Sequence, residues 1–334
     1  FLVNVILIVP FINFLYKTKM QRAQQKTKDA FNKSTPIFDK FNKHKAGTPV
    51  GGGLLIIAST ALLYLLFISM FNLFRIPLQT NFPSIFAESK ILLFTILSFG
   101  LLGVYDDLAK IFFWKKLNFF GVTLKFKLLI EIVLALIIAY WLYVDLQIHF
   151  VHVPFFGVFD LSYFYIAFAA FTIVAFSNAV NITDGLDGLA TGILMISLAS
   201  FWIIAASIID VPTSLFIGIW LGGLIAFLYF NIPPARIFLG DAGSLSFGAA
   251  FAVVGLILGK SFSLPIIGGI FLIEILSSLF QLLSKKLRRK KLFAVAPFHL
   301  YLQHKGWEES KIVMRFWLIS ILFSVFGLML AFLK

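Results

Sequence analysis

Long apolar runs divide this sequence, and they restrict its fold more than any other feature does. A helical run of about 17–25 apolar residues matches the hydrocarbon core of a bilayer. We interpret ten segments as spanning helices, at approximately 1–16, 52–74, 88–104, 124–144, 161–177, 187–209, 211–230, 242–258, 264–284 and 312–333. Only 13% of the residues are charged, against about 25% in soluble domains. The sequence therefore predicts one all-α polytopic membrane domain covering 1–334.

Basic residues are concentrated in alternate connecting segments. One side of the predicted membrane holds 24 of the 28 Lys and Arg, including Lys115 and Lys116, and the other side holds 4. Such an excess marks the cytoplasmic face, so both termini are predicted outside. The net charge of +13 thus indicates contact with a lipid bilayer and no nucleic-acid partner. The absence of cysteine excludes disulfides, thiolate metal sites and cysteine nucleophiles.

The most unusual polar stretch is Asn178–Gly192, which reads NAVNITDGLDGLATG between two apolar runs. Irregular backbone at membrane depth is tolerated where it is buried in protein or lines a wet cavity. Acids such as Asp184 and Asp187 are costly there and usually functional. The alternative is a polar connecting loop with turn glycines, but such a loop needs no concentration of Asn, Thr and Asp.

Two further acidic motifs end or begin helices on the same side. Asp106 and Asp107 are adjacent, and their mutual repulsion is relieved if a cation or proton lies between them. Lys110 follows Asp106 by one helical turn, so a local ion pair at a helix end is an equal alternative. Asp241 lies between glycines at the start of the eighth run, which suits a hard cation such as Mg²⁺.

A lysine precedes a glycine-rich helix start in Lys45–Gly53 (KAGTPVGGG). Backbone amides at such a start favour anions, although small residues also serve helix packing in membranes. Together with the acids, this pattern predicts Mg²⁺-dependent phosphoryl transfer at the inner membrane surface. A cation-coupled transporter is the alternative of another class, but transport acids gather near the bilayer midplane, whereas these lie at helix ends.

Three other features are less informative. The segment 144–161 alternates in polarity around a Pro-Phe-Phe-Gly turn, which predicts a short external β-hairpin with His149 and His152 on its surface. Glu131 and Glu274 lie inside apolar runs; a packing role for Glu131 is as well supported as a functional one, and Glu274 is unexplained.

The motifs resemble those of the polyprenyl-phosphate N-acetylhexosamine-1-phosphate transferase family. The resemblance rests on KAGTPVGGG at 45–53, DDLAK at 106–110, NAVNITDGLDGLATG at 178–192, IFLGDAGSL at 237–245 and APFHLYLQHKGWEESKIVMRFW at 296–317. The last motif is similar to the branch that uses UDP-N-acetylmuramoyl-pentapeptide rather than UDP-N-acetylglucosamine. Such enzymes join that substrate to undecaprenyl phosphate, releasing UMP and leaving lipid I, a lipid-linked precursor of peptidoglycan in the bacterial cytoplasmic membrane. The resemblance also favours a homodimer.

The resemblance implies roles for particular residues. Asp241 is the expected Mg²⁺ ligand, and either Asp106 or Asp107 is expected to deprotonate the lipid phosphate. The resemblance leaves open whether the lipid phosphate attacks the UDP-sugar directly or whether the reaction passes through a covalent aspartyl intermediate. The other two residues expected in catalysis are Lys110 and His299. The residues expected to bind substrate are Lys45, Thr48, Lys127, Asn178, Asn181, Asp184, Gly185, Asp187, Asn231 and Phe238. Of these, Lys127 is expected to offset phosphate charge together with Lys110, and Phe238 to stack on uracil.

One position departs from the family. His299 is the first of three consecutive histidines that are typical there, and Leu300 and Tyr301 replace the second and third. Tyr301 can donate a hydrogen bond, but it cannot become a cation near neutral pH.

Overall fold

A computed structural model describes residues 1–21, 39, 41, 43–113 and 124–333. Lys115 and Lys116, which the charge pattern assigns to the cytoplasmic side, lie outside the described residues. The twelve α-helices within them are α1 (Leu2–Lys17), α2 (Gly52–Leu73), α3 (Ile85–Leu108), α4 (Leu124–Val144), α5 (Phe164–Thr183), α6 (Leu189–Ser207), α7 (Val211–Asn231), α8 (Gly240–Ile257), α9 (Leu264–Ile267), α10 (Gly269–Arg288), α11 (Phe298–His304) and α12 (Glu309–Phe332).

The predicted fold class is confirmed. Among the described helices, eight are long and apolar enough to cross a membrane: α2 to α8 and α12. The first predicted run is a helix of 16 residues, α1. The run predicted at 264–284 is not one helix, because the chain breaks at Gly268 into α9 and α10. A side chain at Gly268 would lie 2.7 Å from the ring of Phe176, so the break lets the backbone approach α5 closely.

The predicted hairpin is confirmed. Strands β1 (Phe150–Val153) and β2 (Gly157–Asp160) pair antiparallel around the Pro-Phe-Phe-Gly turn. His149 Nδ1 lies 2.9 Å from Asp160 Oδ1 across the pair. Because α5 begins after the hairpin and runs for 20 residues to Thr183, the hairpin lies at the opposite end of the bundle from Asp184 and the residues that follow it, roughly 30 Å away.

Helix α8 is the centre of the bundle. It packs mainly against α3 and α5, with α2 on a further side, and almost every residue from Gly240 to Ile257 is buried. Glycines bring these helices together: a Cβ on Gly53 of α2 would lie 2.2 Å from the Cα of Gly243. Such small residues let helix backbones approach closely in membranes, and here they fix the first turn of α8 between its neighbours.

The polar stretch at 178–192 is less irregular than its composition predicts. Helix α5 continues to Thr183, so Asn178 and Asn181 lie on its last turns, and α6 begins at Leu189. Only 184–188, here called the Asp184 loop, is non-helical. The predicted end of the fifth run at about 177 was therefore too early, since α5 continues through both asparagines, whose side chains bond to neighbouring helices.

Candidate active site

Two carboxylates and two lysines meet where α3 ends and α8 begins. Lys127 Nζ of α4 lies 2.8 Å from Asp106 Oδ2 and 3.2 Å from Asp241 Oδ2. Lys110 Nζ lies 3.0 Å from Asp106 Oδ2 and also pairs with Asp241. Each carboxylate thus contacts both ammonium groups. The ion pair of Asp106 and Lys110, which the spacing allowed, is present, but it is part of this larger group, here called the four-charge cluster.

The cluster is assembled by close contact of α3 with α8. A Cβ on Gly103 would lie 2.2 Å from the backbone oxygen of Asp241, so only glycine fits there without displacing α8. One turn later, Asp107 Oδ2 accepts a hydrogen bond from Ala242 N at 3.1 Å. Asp107 therefore caps the N-terminus of α8, where a carboxylate also interacts favourably with the helix dipole. Asp106 and Asp107 are adjacent, but they make different contacts.

The donor set fits a hard divalent cation. Mg²⁺ is usually bound through one or two carboxylates together with substrate phosphates and water. Asp106 and Asp241 supply two carboxylates side by side, and the buried Asp107 Oδ1 accepts no hydrogen bond from any described residue. Among the described side chains, no three or more His, Cys, Asp or Glu are grouped as a complete metal site. Asp106 and Asp241 would supply two ligands to such an ion, and substrate phosphates and water would supply others.

A second ionic group lies beside the Asp184 loop. Lys45 Nζ is 2.7 Å from Asp187 Oδ1 and 2.5 Å from Glu309 Oε1. Asp187 Oδ2 also accepts a hydrogen bond from Ala235 N at 2.9 Å. Glu309 Oε1 accepts one from Asp187 N at 2.7 Å. These contacts join four segments that are far apart in the sequence.

Amides predicted to bind substrate are engaged within the protein. Asn231 Oδ1 accepts hydrogen bonds from Gly188 N at 3.2 Å and from Thr191 Oγ1 at 3.0 Å, and its Nδ2 donates to Ile237 O at 2.9 Å. Asn231 thereby fastens the end of α7 to the start of α6. In this arrangement its side chain supports the Asp184 loop.

The two asparagines of α5 connect it to both neighbouring helices. Asn178 Nδ2 donates to Glu131 Oε2 of α4 and to Val174 O at 3.0 Å. Asn181 Nδ2 donates to Ser244 Oγ of α8 at 2.8 Å. Glu131 is buried, and its Oε1 accepts no hydrogen bond from the described part of the chain. Both asparagines therefore tie α5 to the helices that carry the four-charge cluster.

The glycine-rich start of α2 packs against α8. Gly52 N donates to Phe238 O at 2.9 Å, and Gly53 N donates to Leu239 O at 2.9 Å. Phe238 N in turn donates to Pro49 O at 2.9 Å. The backbone N–H groups of Gly52 and Gly53 are thus already bonded to carbonyl oxygens. This supports a role for the glycines in helix packing over a role in binding an anion. Thr48, half-buried just before them, donates its backbone N–H to Lys45 O at 3.3 Å.

His299 is held by a buried acid. Its Nδ1 lies 2.9 Å from Glu274 Oε2, and its backbone N donates to Glu274 Oε1 at 3.0 Å. The other ring nitrogen faces the Asp184 loop, since a Cβ on Gly185 would lie 2.4 Å from Nε2. Leu300, which replaces the second family histidine, is buried in the core, and Tyr301 stacks at 6.3 Å on Phe298.

Asp184 lies between the two ionic groups. Desolvation by the surrounding protein, together with the negative charges of Asp241, Asp107 and Asp187, raises the pKa of the Asp184 carboxyl to about 8, while Lys45 opposes the shift. The carboxyl is therefore mostly protonated near neutral pH and can donate a hydrogen bond, which an ionised acid cannot do.

Comparison with known proteins identifies the family. Residues 89–259, just over half of the chain, match the model of glycosyl transferase family 4. The chain is 39% identical over 307 residues to a phospho-N-acetylmuramoyl-pentapeptide-transferase of Rickettsia prowazekii, covering 86% of this chain and 80% of that protein. It is 38% identical over 304 residues to the same-named protein of Pelagibacter ubique, covering 85% and 80%. The chain belongs to glycosyl transferase family 4. The resemblance inferred from the motifs is thereby confirmed.

The residues of the site divide between the family segment and its flanks. The part of this family 4 chain that matches the family model carries the whole four-charge cluster and the Asp184 loop. The flanking segments supply Lys45, His299 and Glu309. Sequence reasoning missed Glu309 and left Glu274 unexplained. Glu309 bonds to a lysine 264 positions away, and no spacing in the sequence indicates such a contact.

Proposed function

We propose that this protein transfers phospho-N-acetylmuramoyl-pentapeptide from its UDP conjugate to undecaprenyl phosphate, releasing UMP and forming lipid I for peptidoglycan. The observation that carries the proposal is the four-charge cluster in a chain 39% identical to an enzyme named for this transfer. Phosphoryl transfer depends mainly on positioning and charge stabilisation, and paired acids and lysines at one end of a membrane bundle supply both. We place this end at the cytoplasmic face of a bacterial membrane, and we expect a homodimer.

The acids and lysines of the four-charge cluster and Asp107 have separate roles in the transfer. One acid of the α3 pair takes the proton of the lipid phosphate, whose oxygen bonds to the β-phosphorus of the UDP-sugar. The bond from that phosphorus to the bridging oxygen breaks, and UMP leaves. Asp107 accepts a hydrogen bond from Ala242 N, and Asp106 pairs with Lys110 and Lys127, so each acid of the pair remains a candidate for this base. Lys110 and Lys127 lie where negative charge develops and offset it.

The proposal includes Mg²⁺ held by Asp241, with Asp106 beside it. When bound, such an ion neutralises phosphate charge and orients the diphosphate. Asp184, protonated near neutral pH, is placed to donate a hydrogen bond to the substrate, and Phe238 to stack on the uracil. His299, oriented by Glu274, presents Nε2 beside the same loop.

A two-substrate assay tests this function. Purified protein with undecaprenyl phosphate should release UMP from UDP-N-acetylmuramoyl-pentapeptide, and excess EDTA should stop the release until Mg²⁺ is restored. UMP release from UDP-N-acetylglucosamine but not from UDP-N-acetylmuramoyl-pentapeptide would favour the branch of the family that uses UDP-N-acetylglucosamine. Cation uptake into proteoliposomes without UMP release would favour a transporter and contradict the proposal.

A further inference from the structure

Lys45 of the proposed nucleotide site is already paired with two acids. Its side chain is 8% exposed, and the carboxylates of Asp187 and Glu309 lie 2.7 Å and 2.5 Å from its Nζ. These three groups carry a net charge of −1. An anionic ligand that needs the ammonium of Lys45 must therefore compete with a carboxylate, because the attraction between opposite charges is already satisfied.

The two carboxylates are not held equally. Asp187 is 6% exposed and is held through both oxygens, since Oδ2 accepts a hydrogen bond from Ala235 N at 2.9 Å. Glu309 is 16% exposed, is the first residue of α12, and contacts Lys45 Nζ and, at 2.7 Å, Asp187 N through the same oxygen, Oε1. The N-terminus of a helix favours a negative side chain whether or not that side chain contacts a lysine. Glu309 can therefore leave Lys45 at a lower cost than Asp187 can.

We infer that Glu309 is an exchangeable counter-ion of Lys45, which the phosphate of the nucleotide displaces on binding and which returns when UMP leaves. The inference rests on the proposed function, in which UMP is a product. Glu309 thereby lowers the affinity for the nucleotide anion and favours product release. It is a positioning residue, because it acts on the ligand through Lys45.

Calorimetric titration of the full chain with UMP tests the inference. Glu309→Gln keeps an oxygen that can accept from Lys45 and from Asp187 N but removes the competing charge. We expect UMP to bind about three- to tenfold more tightly, the effect of one partly exposed charge, with the gain shrinking at high salt. Glu308→Gln is the matched control, since it removes the same charge from the exposed neighbouring residue; its UMP affinity should equal that of the unmodified protein.

Uridine separates phosphate competition from a general change of the site. Because uridine lacks the phosphate, its affinity should be the same for Glu309→Gln and the unmodified protein. Glu309→Asp, whose shorter side chain pairs less closely with Lys45, should give an intermediate UMP affinity and serves if the first variant does not fold. Equal or weaker UMP binding by both variants, or equal tightening of uridine, would overturn the inference. An unmodified protein that binds no UMP would overturn the proposed function as well.

Discussion

Asp241 connects α8 to both lysines of the four-charge cluster. It pairs with lysines from the end of α3 and from α4, and its own position is set by the contact of α8 with Gly103. Removing its charge should leave both lysines without one of their two carboxylates. The bundle itself is held by apolar packing around α8, so the effect should fall on catalysis.

Asp241→Asn should reduce UMP release at least about a hundredfold, the usual size of losing one group that stabilises transition-state charge. Asp145→Asn makes the same chemical change in a partly exposed pair with Lys90 at the other end of the bundle. Its activity should change less than about twofold, because such pairs contribute little. Initial rates of UMP release compare the two, and near-normal activity of Asp241→Asn would remove Asp241 as a metal ligand.

Asp184 should make stability depend on pH. Its folded-state pKa of about 8 lies above the ordinary value of 3.8, so the folded protein keeps a proton that the unfolded chain loses. The free energy of unfolding should therefore fall as the pH rises from about 4 to about 8 and then level off. Asp184→Asn should remove this decline.

The thermal unfolding midpoint measured at about pH 6 and about pH 9 checks this expectation. The difference between the two midpoints should be smaller in Asp184→Asn. Asp160→Asn is the control: the hydrogen bond from His149 lowers the pKa of that exposed carboxyl, so it stays ionised throughout this range. A difference that is unchanged in Asp184→Asn would show that the Asp184 carboxyl ionises near its ordinary pKa.

At the residue scale, motif chemistry predicted which charged side chains meet at one end of the bundle. Asp106, Lys110 and Asp241 come from separate motifs and meet, because each lies at the same end of a helix that crosses the bundle. Glu274 and Glu309 were not predicted as partners of His299 and Lys45. Those pairs depend on how distant helices pack, and neither acid has a periodic or adjacent partner in the sequence.

At the scale of elements, glycines determine where α8 begins relative to its neighbours. A Cβ on Gly103 would lie 2.5 Å or less from three backbone atoms of Asp241 and Ala242. These atoms belong to a helix backbone and cannot move aside as a flexible side chain can. A larger residue at Gly103 would therefore push α3 away from α8 and separate the acids.

Gly103→Ala should lower the thermal midpoint and reduce UMP release at least about tenfold, since misplacing a catalytic group by about 1 Å is costly. Gly218→Ala is the matched control within α7, where the nearest side-chain atoms are 3.7 Å away, an ordinary contact. It should keep full activity and gain up to about 1 kcal/mol of stability from helix propensity. Equal behaviour of the two variants would contradict a close α3–α8 contact.

Helix positions were predictable because apolar length alone indicates a span, but breaks within the runs were not. In the run at 264–284, only the adjacent Gly268 and Gly269 separate α9 from α10, and glycine is common within membrane helices. The close approach to Phe176 that explains the break involves α5. Such contacts are visible only once the helices are packed.

At the scale of the whole molecule, the distribution of basic residues predicts orientation. Because the sequence contains no cysteine, a cysteine introduced by substitution is the single thiol that a maleimide can label in this chain. On intact cells, an impermeant maleimide should modify Phe156→Cys, because Phe156 lies in the hairpin turn and is 78% exposed. Lys290→Cys, exposed after α10, should react only after permeabilisation. Labelling in the reverse order would place the four-charge cluster outside and contradict the proposed topology.

The burial of α8 has a consequence for how the protein is made. Its mean hydropathy of 1.5 is the lowest of the eight candidate spans, yet 89% of its apolar window is buried inside the protein. Its main neighbours, α2, α3 and α5, all precede it in the chain. When the ribosome releases α8, the surfaces that receive it can already be in the bilayer. A weakly apolar segment bearing an acid can thus pass from the translocon into a protein environment instead of into lipid.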